Sequence, residues 1–166
     1  MRSLRLVCGI LALSAAFSLP SHASPITYTE SVIGSGSLNG VSFTNQLVTF
    51  SGSADTAAIA DDLGFYFVFL TNPTVQIGAG PAVGLTGDID ASDNTSNPSA
   101  EFGEYFPGDW LILSTDTGVF ATYHLDSTIS QSGPANFNPT VYFPTTSGNF
   151  ILDEAWESPT TFACSS

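Results

Sequence analysis

The chain has 166 residues, and its 15 Asp and Glu are set against two basic side chains, Arg2 and Arg5, for a formal net charge of −13. Beyond Arg5 the sequence contains no lysine and no arginine. Proteins grip nucleic acid and anionic lipid by neutralising phosphates with those two side chains, so neither partner is expected here.

Arg2 and Arg5 form a short positive segment, residues 6–17 are almost wholly apolar, and Pro20 precedes the small residues Ser21 and Ala23. That is the layout of a cleavable signal helix, with the cut expected after Ala23. An apolar run of about a dozen residues is too short to span a ~30 Å hydrocarbon layer, which needs about 20. Processing would remove 1–23 and leave 143 residues (166 − 23), enough for one domain, 24–166. The expected location is therefore extracellular: secreted, or held at the cell surface. Cys8 leaves with the signal, so Cys164 has no partner for an intrachain disulfide. It either pairs between chains in an oxidising compartment or closes the last strand as a small apolar residue, and the second reading is favoured.

After the leader, Gly, Ser, Thr, Asn, Asp and Pro recur about every eight to twelve residues between runs rich in Val, Ile, Phe, Tyr and Thr. The spacing predicts strands over 26–34, 36–42, 45–53, 64–71, 73–79, 82–89, 100–106, 109–115, 119–130, 139–144 and 148–162, the last broken by a turn. A turn of helix around 56–62 is the one exception, since no longer window keeps a 3.6-residue apolar period. Residues 64–70 are apolar on both faces, Phe65, Phe67 and Phe69 on one and Tyr66, Val68 and Leu70 on the other. Such a strand is expected in the core, covered above and below; an aromatic binding platform is the competing reading. The fold class is all-β, a single antiparallel β-sandwich of Greek-key or jelly-roll type. A membrane β-barrel needs strands of roughly ten residues with aromatic girdles and is set aside.

Candidate chemistry is sparse. Asp88, Asp90 and Asp93 with Asn94 fall in a polar run read as a turn, and Ca²⁺ takes six to eight oxygens gathered that closely. An Asx-rich turn bonding its own backbone is the plainer reading. The pairs Asp61-Asp62 and Asp153-Glu154, and the group Glu101, Glu104 and Asp109, offer carboxylates for glycoside hydrolysis, yet in so acidic a chain they arise by chance. Trp110 and Tyr105, with Trp156 and Phe106, would stack on sugar rings if they project from one exposed face. His124 has no G-x-S-x-G partner and too few nitrogen or sulfur companions for zinc, and reads as a strand histidine. Asn94-Thr95-Ser96 matches a glycosylation sequon. The glycines at 78 and 80 lack the lysine and helix of a phosphate loop. No cofactor is required on this reading, Ca²⁺ being the one ion with a candidate site. Mutual repulsion is expected to raise some carboxyl pKa values in the folded state, which favours folding at mildly acidic pH.

The run Ser35-Gly36-Ser37-Leu38-Asn39-Gly40-Val41-Ser42-Phe43, continuing to Phe50 and followed by Gly52-Ser53-Ala54-Asp55-Thr56, resembles the opening of small exported bacterial β-rich proteins of the PEP-CTERM-associated type. Gly118-Val119-Phe120-Ala121-Thr122-Tyr123-His124-Leu125 resembles their second characteristic stretch. The resemblance implies an exported β-domain and carries over no catalytic residue. The Pro-Glu-Pro motif and apolar tail of that family do not follow Phe162, so free secretion is expected over anchoring. The functional expectation is a non-catalytic surface domain, structural in a matrix or envelope or binding extracellular polysaccharide. The alternative is a carboxylate-dependent glycan hydrolase or lyase.

Overall fold

The computed structural model describes residues 25–105, 110–155 and 159–166. The expected signal helix and cleavage site lie outside the described residues, as do Phe106, Asp109 and Trp156. The described chain is all-β, built of antiparallel strands. In order these are β1 (Pro25–Leu38), β2 (Val41–Asp55), β3 (Ala60–Asp62), β4 (Phe65–Phe69), β5 (Thr71–Ile77), β6 (Val83–Gly84) and β7 (Ile89–Asn94). There follow β8 (Ser99–Glu104), β9 (Trp110–Asp116), β10 (Ile129–Gly133), β11 (Ala135–Asn136), β12 (Tyr142–Thr145), β13 (Gly148–Ala155) and β14 (Thr160–Ser165).

The longest pair is set by a dipeptide. Asn39 and Gly40 both take left-handed φ, 52° and 75°, which is what a two-residue hairpin turn of the right twist demands. β1 and β2 therefore pair along their whole length, from Pro25 opposite Asp55 to Leu38 opposite Val41. The single strand expected over 36–42 does not exist because the turn at Asn39 and Gly40 cuts through it. The register shifts between Gly34 and Gly36, where the Asn45 N–H donates to Ser35 Oγ at 3.2 Å.

Around this hairpin one sheet curls until it nearly closes as a barrel. β2 pairs β5 and β5 pairs β6 on one side, while β13 pairs the C-terminal half of β1 and β12 pairs β13 on the other. A bridge between Leu85 and Thr145 then joins the far edges, with the Thr86 N–H on the Pro144 carbonyl at 3.0 Å and the Thr146 N–H on that of Gly84 at 2.8 Å. The tight approach of β13 to β1 depends on glycine: a Cβ on Gly34 would stand 2.6 Å from the Glu154 carbonyl oxygen. The N-terminal half of β1 pairs β14, which pairs β10. β13 and β14 thus follow one another along the same edge of β1, as the interrupted strand over 148–162 anticipated.

The second sheet runs β11, β9, β8, β7, β4, β3. Its inner face meets β2 and β14 through a continuous line of aromatic contacts. Phe150 meets Phe50 at 5.6 Å, Phe50 meets Phe102 at 6.2 Å, Phe102 meets Phe162 at 6.5 Å and Phe162 meets Phe120 at 5.7 Å. Each of these rings is fully buried, and burying one contributes roughly 1.5–3 kcal/mol. Cys164 is part of this core, 2 % exposed, its sulfur 2.9 Å from the Tyr123 hydroxyl. Burial pushes the thiol up to about 12, so it stays protonated, and the reading of Cys164 as a small apolar strand residue holds.

Two expectations fail on local structure. Over 119–130 the chain forms a 3₁₀ turn, Gly118–Thr122, and only Ile129–Gly133 is strand; His124 is not in a strand, and its ring stacks on Tyr66 at 4.3 Å. The polar turn expected over 87–94 is largely the strand β7. The helical turn expected at 56–62 shrinks to a 3₁₀ turn, Thr56–Ala58, capped by the Asp55 carboxylate, which accepts the Ala57 N–H at 2.9 Å.

Candidate functional site

β4 supplies the most unusual surface. It lies one strand from the edge, with only the three residues of β3 outside it. Strand alternation sends Val68 into the core, 1 % exposed, and turns Phe65, Phe67 and Phe69 outward. Phe65 and Phe67 lie 6.0 Å apart, Phe67 and Phe69 also 6.0 Å. Tyr105, at the end of β8, folds back over them: it stacks on Phe67 at 5.8 Å and meets Phe69 edge-on at 5.4 Å. Phe69 is 49 % exposed and Tyr105 48 %. The expectation that both faces of this strand are covered is therefore corrected. The inner face is core and the phenylalanine face is an open aromatic strip.

Cross-strand register places acids beside the strip. Opposite Phe69 on β7 is Asp90, and opposite Phe67 is Ser92; on β8 their partners are Gly103 and Glu101. Gly103 has no side chain to fill the space, and a Cβ there would stand 3.3 Å from Asp90 Oδ1. The Ser92 hydroxyl donates to Glu101 Oε1 at 3.1 Å. Asp90, Ser92, Glu101, Gly103, Trp110 and Leu111 line a groove of about 200 Å³. Trp110, 39 % exposed, also walls a larger cleft of about 490 Å³ with Glu104, Thr140, Val141, Tyr142 and Pro144. A third depression, about 260 Å³, runs from Phe69 and Leu70 to Gly87 and Asp88.

The three aspartates of the expected calcium loop do not share a face. Asp90 faces outward, Asp93 faces the core, and Asp88 precedes the strand. Among the described residues no cluster of three or more His, Cys, Asp or Glu side chains is placed to hold a metal ion. Asn94 accepts the N–H groups of Ser96 and Asn97 at 3.1 and 3.0 Å, the Asx turn anticipated for this stretch. Of the other acids singled out, Asp61 accepts the Gly64 N–H at 2.9 Å within its own hairpin, and Asp153 and Glu154 are exposed on β13.

Sequence reasoning missed the buried acids. Glu30 is fully buried between the sheets, one oxygen accepting the Phe102 N–H at 3.1 Å and the other the Thr115 hydroxyl at 2.9 Å. Desolvation holds its carboxyl well above the usual range despite those bonds, with repulsion from Glu101 adding to the shift. Asp93 is buried with neither oxygen meeting a hydrogen-bond partner among the described residues. Burial and, secondarily, Glu101 push it up to about 8. Glu104 is raised by burial and by Asp88. The expected direction is correct, but the leading cause is desolvation; mutual repulsion comes second. The available signal was Ile89, Ala91 and Asp93 at two-residue spacing, which puts Asp93 on the apolar face.

No family model matches the chain, and no curated protein or solved structure shows significant similarity to it. Among the described residues no helix is long and apolar enough to cross a membrane.

Proposed function

We propose that the chain is an exported, non-catalytic β-sandwich domain, jelly-roll-like with one curled sheet, that binds extracellular polysaccharide on the outer face of its six-stranded sheet. The observation that carries this reading is the open strip of Phe67, Phe69 and Tyr105 beside a groove holding Asp90, Glu101 and Trp110. Flat apolar sugar faces stack on such rings, and carboxylate and hydroxyl groups at their margin accept and donate the hydrogen bonds that sugar hydroxyls offer. Of the two expected stacking residues, Tyr105 belongs to the strip and Trp110 to the groove. The ligand is neutral or amine-bearing, because the domain beyond Arg5 has no lysine or arginine to pair with a uronate or sulfate. Secretion and the likeness to PEP-CTERM-associated exported proteins belong to the same reading. A glycan array, run with and without EDTA, tests it. Neutral or amino-sugar polymers should be retained in both conditions and polyuronates in neither; retention of polyuronates alone, or of no glycan, defeats it.

One observation favours a hydrolase as the second reading. Asp90 and Glu101 are diagonal neighbours across β7 and β8, a relation that sets positions roughly 7–8 Å apart, inside the span two glycosidase carboxylates use. Release of reducing ends from a retained polymer, abolished by Glu101→Gln, would establish it.

A further inference from the structure

Resting on the reading of the six-stranded sheet's outer face as a glycan-binding surface, we infer that the neighbouring cleft between the β8–β9 end of that sheet and β12, walled by Trp110 and Tyr142 and lined by Glu104, is a subsite for a protonated amine, carried by an amino sugar with its nitrogen unacetylated. The cleft's volume, about 490 Å³, falls within the roughly 300–1,000 Å³ typical of small-ligand sites. Glu104 lines it and is only 6 % exposed. That position is built. Glu104 packs against Gly87, where any Cβ would collide with its carboxyl oxygen.

A buried carboxylate is normally matched by a cation, and the described residues hold no lysine or arginine to give one. No lysine or arginine follows Arg5, and the ring of His124 is engaged with Tyr66. The matching charge must come from outside. Two aromatic walls, Trp110 at 39 % and Tyr142 at 61 % exposure, offer the faces that attract a cation, and an ammonium between them and a carboxylate gains from both. An N-acetylated sugar has no charge to bring and would bury an amide against Glu104. A uronate would be repelled by Glu104 and by Asp88.

The test compares the glucosamine trisaccharide with the N-acetylglucosamine trisaccharide by calorimetry at pH 7 in physiological salt, where diffuse attraction to an acidic surface is screened. The amine form should bind the chain about tenfold more tightly or better. Glu104→Gln, which keeps the shape and removes the charge, should abolish that preference, and Tyr142→Ala should reduce it. Asp153→Asn, one charge fewer on the other sheet, should leave it intact. Equal binding of the two trisaccharides, or a preference that survives Glu104→Gln, overturns the amine subsite while leaving the glycan-binding surface standing. Failure of both trisaccharides together with a blank glycan array removes both.

Discussion

Leu63 stands at the tip of the β3–β4 hairpin, 97 % exposed, with φ at 54° beside Gly64 at 90°. A branched side chain in the left-handed region costs about 1 kcal/mol, and this one recovers nothing by burial. Leu63→Asn is expected to raise stability by about 1 kcal/mol, roughly 3 °C in Tm, measured by thermal unfolding. The buried acids act in the opposite sense. Asp93 titrates near 4 in the unfolded chain and about 8 in the folded one. Between those values the folded state holds a proton that the unfolded state has lost. Its contribution is complete below the lower value and disappears as pH rises through the upper one, at about 1.4 kcal/mol per pH unit. Glu30 follows the same direction. Stability should therefore fall from pH 5 to pH 8, and the pair Glu30→Gln with Asp93→Asn should flatten that fall. A Tm that climbs over this range would show that these carboxyls are ionised in the folded protein.

At the scale of elements, β4 has one face in the core and the other carrying the aromatic strip on which the proposed binding rests. Phe67→Ala removes the ring that both Phe69 and Tyr105 meet, on a face that borders solvent. It should weaken glycan binding about tenfold while costing less stability than Phe102→Ala, which empties the core by about 3–5 kcal/mol. Gly87→Ala should displace the Glu104 carboxyl and so alter the cleft that Glu104 lines. How far each element could be read from sequence follows from what fixes it. The Asn39-Gly40 hairpin was open to reading, because that dipeptide favours a turn whatever surrounds it; the strand drawn through it over 36–42 over-weighted Leu38 and Val41. β7 was hidden because Asp90, Ser92, Asp93 and Asn94 all prefer turns in isolation, and only pairing with β4 and β8 makes them a strand. The open face of β4 was hidden for a complementary reason. An alternating aromatic segment says that two faces exist, but whether a neighbour covers each depends on sheet order, which local pattern does not encode. Tyr105 and Trp110 could be singled out as exposed-aromatic candidates from sequence; their company, Phe67, Phe69, Asp90 and Glu104, needed the register.

For the molecule as a whole, acidity and fold are linked. Beyond Arg5 the sequence has no lysine or arginine, so apolar burial and the antiparallel ladders hold the described domain together, and desolvation raises the carboxyl pKa values of its interior acids Glu30 and Asp93. On the proposed reading the same charge selects ligands, and polyanions should be repelled while neutral or cationic sugars are admitted. No binding to duplex DNA is expected at physiological salt, a point a fluorescence anisotropy titration checks. The outer face of the six-stranded sheet is tested most directly by NMR: a ¹H–¹⁵N titration of the chain with the glucosamine trisaccharide. Shifts should cluster on Phe67, Phe69, Asp90, Tyr105, Trp110 and Leu111. Shifts confined to the barrel strands β2, β5 and β13, with this face unmoved, would contradict the assignment.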